Sequence, residues 1–319
     1  MTGTTAAVTG ATGFLGRHLC HRLLTEGWTV RGLARPSSDR GPLADRLEWH
    51  VGDITDERTL STFVEGADVV FHLAGIGLWD GDPATVREVN LGGTQAVVSA
   101  CQANEVGRLL FTSTSGTFRT PEGVATEADR AEPVGAYQES KAAAEACVDR
   151  YAAHGGDAVT VHPTSIFGPG DENFTVQLIT MATDPKLFAY LPGGLSIVGV
   201  TDVVEGILAA VEDGLNGEHY ILGGDNLRYE DALRRIADTV GGIPARIRVP
   251  PVAIHAAGPV AGAVSSLTGR RLFPFDSQMA QLATQQLFYS SEKAYTELEY
   301  TYEPLESHVP ATVAWYETR

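Results

Sequence analysis

An apolar run, Ala6-Ala7-Val8, leads into three glycines spaced three apart, Gly10, Gly13 and Gly16, and an amphipathic stretch follows at once. That succession reads as strand, tight turn and helix N-terminus, and it commits the start of the chain to an α/β unit. Gly10 lets the chain turn, Gly13 lets the backbone approach a ligand, and Gly16 lets the helix pack closely on the strand. The N–H groups and positive dipole end of the helix face whatever lies over the turn, and a phosphate is the natural guest. A glycine triplet is weak evidence by itself. Its position after the first strand makes it a candidate dinucleotide site.

The alternation continues. Residues 14–26 are predicted helical, with Leu15, Leu19, Leu23 and Leu24 on one face and Gly27 as the stop. Strands are predicted over 29–35, 47–51, 68–74, 108–114 and 158–166, and helices over 56–65, 83–106 and 136–153. Strands separated by helices mean a doubly wound parallel sheet of the Rossmann type, with helices on both faces. After Gly168-Pro169-Gly170 the rhythm breaks, with a helix over 202–212, a short strand over 217–222, and mostly helical patterning from Tyr229 to the end. The expected division is a Rossmann domain over 1–168, with a returning segment near 198–224, and a smaller, mixed and mainly helical substrate lobe over 169–319.

Asp and Glu number 40 against 23 Lys and Arg, a formal charge of −17 that disfavours nucleic acid and anionic membranes as partners. The same surface suits a salt-adapted, acidic proteome, which predicts a melting temperature that rises in molar KCl. The cysteines Cys20, Cys101 and Cys147 are scattered and form neither a disulfide framework nor a metal spacing. The first residues have no basic or apolar targeting pattern, so a cytoplasmic protein is expected. The apolar stretch 250–267 is Ala/Gly-rich and holds His255 and Pro259, so it is not read as a membrane span.

Four places carry chemistry. Where a free ribose 2′-hydroxyl is usually met by an acid, the second strand ends in Arg35, with Arg40 five residues on. A guanidinium fork suits a 2′-phosphate, so NADP is expected over NAD, unless Arg35 is a solvated loop charge. Asp53 at the end of the third strand either accepts from an adenine amino group or caps the helix near Asp56. Tyr137 and Lys141, one of only three lysines, stand at i and i+4 and share a helix face. An ammonium beside the phenol is expected to lower its pKa and let it exchange a proton with an alcohol or carbonyl. The run Thr112-Ser113-Thr114-Ser115 closes a strand at the ligand edge, where one hydroxyl can donate to a carbonyl oxygen.

Taken in order, Thr9-Gly10-Ala11-Thr12-Gly13-Phe14-Leu15-Gly16, Phe71-His72-Leu73-Ala74-Gly75, Val89-Asn90-Leu91-Gly92-Gly93-Thr94, the hydroxyl run, Tyr137…Lys141 and His162 to Gly170 resemble the extended short-chain dehydrogenases/reductases. The similarity covers nearly the whole chain and is greatest to the branch of dihydroflavonol-4-reductase-like enzymes and nucleotide-sugar epimerases. It implies Tyr137 as acid/base, Lys141 as the lysine on the nicotinamide ribose, and Thr114 as the hydroxyl on the substrate oxygen, with Ser115 and then Ser113 as fallbacks. The implied cofactor contacts are Gly10, Thr12, Gly13, Phe14, Leu15 and Gly16, then Arg35, Asp53 and Ile54, then Leu73, Ala74 and Gly75. Asn90, Thr112, Tyr137, Lys141, Pro163 and Ile166 complete them. Two positions depart from the pattern: Gly75 stands where a second Ala is usual, and His162 replaces an arginine common before the proline; neither is given a role.

The leading reading is an NADP-dependent oxidoreductase acting on a carbonyl or alcohol. The second is a nucleotide-sugar epimerase or dehydratase with retained cofactor, for which Arg228, Arg234, Arg235, Arg246, Arg248, Arg270 and Arg271 are candidate phosphate partners. The third is a cofactor-sensing protein without catalysis, which the presence of both Tyr137 and Lys141 disfavours. The stretch Gly75 to Trp79, with Phe118, Phe167 and Phe174, predicts a largely apolar pocket. A homodimer through the helices 83–106 and 136–153 is implied by the resemblance.

Overall fold

The computed structural model describes residues 3–77, 82–119, 123–254 and 283–318. Its strands are β1 (Thr5–Thr9), β2 (Thr29–Ala34), β3 (Glu48–Val51), β4 (Val69–His72), β5 (Arg108–Thr112), β6 (Ala158–Pro163), β7 (Ser165–Phe167), β8 (Ala189–Tyr190), β9 (Gly194–Gly199), β10 (His219–Leu222), β11 (Asp225–Arg228), β12 (Ile247–Arg248) and β13 (Gln286–Leu287). Seven of them form one sheet in the order β10-β6-β5-β4-β1-β2-β3, and every pair in it is parallel. The order reverses direction between β1 and β4, and ligands of such sheets bind beyond the strand ends at that switch point.

Helices α1 (Phe14–Thr25), α2 (Glu57–Val64), α3 (Pro83–Arg87), α4 (Gly93–Ala103), α5 (Gly135–Ala153) and, later in the chain, α6 (Phe174–Thr183) and α7 (Val200–Glu212) connect the strands. Alternation along β1 assigns the layers. Ala6 and Val8 face a core with Leu19, Leu23, Ile207 and Tyr220, whereas Ala7 faces Phe63, Val97 and Val148. A third core holds Phe167, Leu178, Ile197, Leu233, Ile236, Leu305 and Val309. It joins β9 to α6, α8 (Tyr229–Val240) and α10 (Leu305–Glu317), while α9 (Glu292–Leu298) packs on β10 and α7. The second sheet centres on β9, which pairs antiparallel with β11 and parallel with β7 and β13.

Among the predicted elements that differ, three bear on the site. The run 158–166 is two strands: β6 ends at Pro163, the Thr164 N–H bonds to the Leu222 carbonyl, and β7 leaves for the second sheet. The run 83–106 contains a π-helical stretch at Glu88–Gly92 and stops at Ala103. The strand over 108–114 stops at Thr112, so the hydroxyls after it lie on a loop. Among the described residues no helix is long and apolar enough to cross a membrane. Residues 255–267 of the apolar stretch, with Arg270, Arg271, Leu78 and Trp79, lie outside the described residues.

Candidate active site

Backbone contacts fix the turn after β1. Gly10 has φ +74°, and a Cβ there would stand 2.8 Å from the Ala74 nitrogen. A Cβ on Gly16 would overlap the Gly10 carbonyl oxygen. The Gly13 N–H donates to the Gly10 oxygen at 2.9 Å, and Gly13 is the α1 N-cap, where it offers no capping side chain. Gly13 is exposed, with Thr12, Phe14 and Leu15 half-buried beside it. Phe14 lies beside Gly168 and Gly170, and His18 bonds the Pro169 carbonyl at 2.8 Å, so the loop after β7 is fastened to α1. Arg17, which carried no motif signal, donates to the Thr12 carbonyl at 2.9 Å and to the Asp39 carbonyl at 3.0 Å, tying the glycine turn to the loop after β2.

On that loop Arg35 is exposed at the end of β2, and the Arg40 guanidinium lies 5.3 Å from the Trp49 ring centroid. The helix cap near Asp56 is Asp56 itself, through the Arg58 N–H at 3.1 Å. Asp53 instead holds the Thr55 N–H and hydroxyl through one oxygen, at 3.0 and 2.8 Å. Ile54 is buried and packs beneath Gly93 at the start of α4.

A buried chain of side chains joins the glycine turn to α5. Thr9 Oγ1 accepts from the Ala74 N–H and meets His72 Nδ1 at 2.9 Å; His72 Nε2 meets Thr94 Oγ1 at 2.9 Å; Thr94 donates to the Asn90 carbonyl at 2.6 Å. Burial, and secondarily the Lys141 charge, push the His72 pKa down to about 3, so it works as a neutral bridge. Asn90 sits in the π stretch and is its buried residue. Its amide brackets Ile76, accepting from the N–H at 2.7 Å and donating to the carbonyl at 3.1 Å, and it donates to Ser140 Oγ at 3.0 Å. Such π turns inside α-helices recur at functional sites. Leu73, Ala74 and Gly75 follow β4 directly along this seam, and a Cβ on Gly75 would stand 3.1 Å from Asn90 Oδ1.

Tyr137, Lys141 and Glu145 follow one another at i, i+4 and i+8 on α5. Lys141 Nζ donates to the Thr112 carbonyl at 2.7 Å and lies 4.5 Å from the Phe111 ring centroid; burial, opposed by Glu145, brings its pKa down to about 8. Burial raises the Tyr137 pKa, Glu145 adds to the rise, and a hydrogen bond with Thr114 opposes it. The expected lowering is therefore corrected: burial raises the pKa beyond what the Thr114 hydrogen bond takes back, and the phenol is neutral at rest.

The hydroxyl run divides cleanly. Ser113 Oγ donates to Glu145, Ser115 is bonded to Tyr289, and Thr114 is the one bonded to Tyr137. Pro163 ends β6, and Ile166 packs partly buried on the main core. Two buried hydroxyls at this carboxyl edge, Thr112 Oγ1 and Thr164 Oγ1, have no hydrogen-bond partner among the described residues. An uncapped helix N-terminus, glycine seats and unsatisfied hydroxyls beside Lys141 fit a nicotinamide dinucleotide laid across the switch point.

Behind Thr114 lies a cluster that the sequence left without a role. Glu145, 1% exposed in its side chain, takes both Ser113 and the Arg130 guanidinium. His162 Nδ1 meets the Thr114 carbonyl at 3.1 Å, and its Nε2 meets His219 Nδ1 at 2.8 Å. His219 Nε2 reaches Asp149 at 2.9 Å. The predicted pocket aromatics are corrected. Phe118 is fully buried against His162 and Arg130, Phe167 is fully buried in the third core, and Phe174 packs on that core. Of the candidate phosphate-binding arginines, Arg234 pairs with Glu230 and Asp231, and Arg235 with Asp225 and Glu306.

Residues 6–223 match the model of the NAD dependent epimerase/dehydratase family. The chain is 31% identical to sterol demethylase protein B of Methylococcus capsulatus over 77% of its own length and 78% of that protein's. It is 30% identical to a Synechocystis protein named as a dihydroflavonol 4-reductase, over 97% and 94%. The crystal structure of gox2253 superposes with a TM-score of 0.86 at 32% identity, covering 99% of this chain and 98% of that one. Sequence, sheet order and site geometry agree, and the chain belongs to the NAD-dependent epimerase/dehydratase family, as an NAD(P)-dependent enzyme of the extended short-chain dehydrogenase/reductase type.

Proposed function

We propose that the protein is an NADP(H)-dependent reductase of an apolar carbonyl compound. The observation that carries this is the division of the three hydroxyls, which leaves Thr114 paired with Tyr137 while Ser113 and Ser115 are engaged elsewhere. When bound, the nicotinamide supplies or accepts the hydride. Thr114 donates to the carbonyl oxygen and holds it against the phenol. Tyr137, a neutral phenol at rest, gives that oxygen its proton in the direction of reduction. Lys141, fixed on the Thr112 carbonyl, places positive charge beside the ribose and the phenol. Gly10, Thr12, Gly13, Phe14, Leu15 and Gly16 would seat the pyrophosphate, and Leu73, Ala74, Gly75, Asn90, Thr112, Pro163 and Ile166 the nicotinamide half. Asp53 and Ile54 would border the adenine, and Arg35 would meet a 2′-phosphate. The segment 169–319, apart from the return near 198–224, would cover the substrate.

Two observations favour reduction over nucleotide-sugar chemistry. Arg234 and Arg235 are neutralised by carboxylates of their own lobe rather than left for a diphosphate. The two relatives described above are named for a sterol and a dihydroflavonol rather than for a nucleotide sugar. We also propose a cytoplasmic homodimer through the helical run 83–106, which holds α3 and α4, and through α5, which fractionation and light scattering check. The central test assays nicotinamide released on denaturation and then follows NADPH oxidation with a dihydroflavonol or a sterol ketone. Tyr137→Phe is expected to cut turnover by at least about a hundredfold. Stoichiometric, tightly held NAD, or turnover unaltered by that substitution, defeats the proposal.

A further inference from the structure

We propose that His162 and His219 are positioning residues for the acid site. His219, carrying two ring protons and braced by Asp149, fixes the tautomer of His162 that donates to the Thr114 carbonyl. This rests on the reading of Thr114 and Tyr137 given above. The proton count carries it. Three contacts run in series: Thr114 carbonyl to His162 Nδ1 at 3.1 Å, His162 Nε2 to His219 Nδ1 at 2.8 Å, and His219 Nε2 to Asp149 Oδ1 at 2.9 Å. Both ends of the series are acceptors, so the three bonds need three N–H groups. Two neutral imidazoles provide two. The third proton belongs on His219, beside a carboxylate whose side chain is 45% exposed, because burial holds His162 well below the ordinary histidine range.

The surrounding charges define the alternative state. Arg130, from the loop before α5, is paired with Glu145 and stands 3.2 Å from the same His219 Nδ1. Its guanidinium can donate only when that nitrogen is bare. Loss of the His219 proton therefore gives Nδ1 to Arg130, leaves His162 Nε2 without a donor, and frees His162 to swap tautomer and turn a lone pair on the Thr114 carbonyl. His162 also faces Glu145 Oε1 at 3.6 Å and feels the charge of Lys141; on the β10 side, Lys293 donates to the His219 carbonyl and pairs with Glu218. The protonated state of His219 is thus the one that holds Thr114 in place.

Nitrogen-labelled histidine NMR on the intact protein reads the count without any turnover. Three of the four ring nitrogens of the pair are expected to be protonated; two overturns the proposal. Kinetics with NADPH and dihydroquercetin test the consequence. His162→Gln, whose amide reaches the Nε2 position but not Thr114, is expected to lower kcat about tenfold with KM for NADPH unaltered. His162→Asn restores a donor at the Nδ1 position and is expected to recover to within about threefold. His219→Asn holds a permanent donor toward His162 and is expected to keep kcat within about threefold of the parent, whereas His219→Leu, which has no donor, is expected to lower it about tenfold. Equal rates for the two His162 variants, or equal rates for the two His219 variants, overturn the proposal. Turnover insensitive to Tyr137→Phe defeats the reductase reading instead and leaves the proton count standing.

Discussion

Around Gly10 to Gly16 the site is shaped by backbone against backbone: one carbonyl oxygen fills the space a Cβ of Gly16 would need, and the chain after β4 fills that of Gly10. Around Thr114 and Tyr137 it is shaped by side chains, with Ser113 on Glu145, His162 on the Thr114 carbonyl and Lys141 on the Thr112 carbonyl. The first half needs near-contact and tolerates almost no added atom. The second needs charge and hydrogen-bond partners and tolerates changes of shape better than changes of polarity. A phosphate seat works by exposing N–H groups in fixed geometry, whereas a proton donor works by the energetic difference between two protonation states.

The largest effect is expected in the backbone half. In Gly16→Ala the Gly10 turn must move or α1 must lift from the sheet, a change in the class that costs more than about 5 kcal/mol. Urea unfolding should show little or no native baseline. A midpoint within about 0.5 M of the parent, with NADPH binding intact, would break the contrast between the halves.

His72 bridges the two halves, and its effect should be nearly as large. Its folded pKa of about 3 lies below the ordinary 6.5, so the native state holds it neutral while the unfolded chain protonates. Its contribution is fully present above about pH 6.5 and is lost as pH falls toward 3, amounting to roughly 5 kcal/mol across the window. Melting curves across that range should show the slope, and His72→Gln should flatten it. An identical slope in the variant would mean that other groups set the acid limit.

The side-chain half responds in rate rather than in stability. Thr114→Val keeps the volume and removes the hydroxyl, and turnover is expected to drop about a hundredfold, as for loss of one donor to a developing oxyanion. The melting temperature should shift by only a few degrees, since Thr114 is half-buried. Comparable loss of turnover in Ser115→Ala would reassign the donor.

The same contrast explains what the sequence disclosed. Glycines three apart and a tyrosine four residues before a lysine are local spacings, and local geometry converts them directly into a turn and a helix face. Glu145 extends that face by one more turn of α5, a signal present in the spacing that no motif calls out. His219 is 57 residues from His162, and Arg130 is 15 from Glu145, so only the β6–β10 pairing and the loop before α5 bring them together. Phe118 and Phe167 show the opposite failure. Aromatic residues near a motif fit a pocket or a core equally well in sequence, and packing decided for the core. The break at Thr164 was equally invisible, because the apolar pattern continues from β6 into β7 while the chain changes sheets.

The smallest effect separates the two halves most sharply, because it concerns charge at the edge of the backbone half. Arg35 is exposed, so any contact with a 2′-phosphate is screened by solvent and worth little per bond. Arg35→Ala should weaken NADPH about three- to tenfold and leave NADH untouched, and added salt should shrink the difference. Arg17, already held by the Thr12 and Asp39 carbonyls, stands in the same neighbourhood and is the guanidinium that would take over the preference. Fluorescence titration of both cofactors into the parent, Arg35→Ala and Arg17→Ala distinguishes the cases. Loss of discrimination in the Arg17 variant alone would move specificity from the loop to the glycine turn, and equal affinities in the parent would remove the preference for NADP altogether.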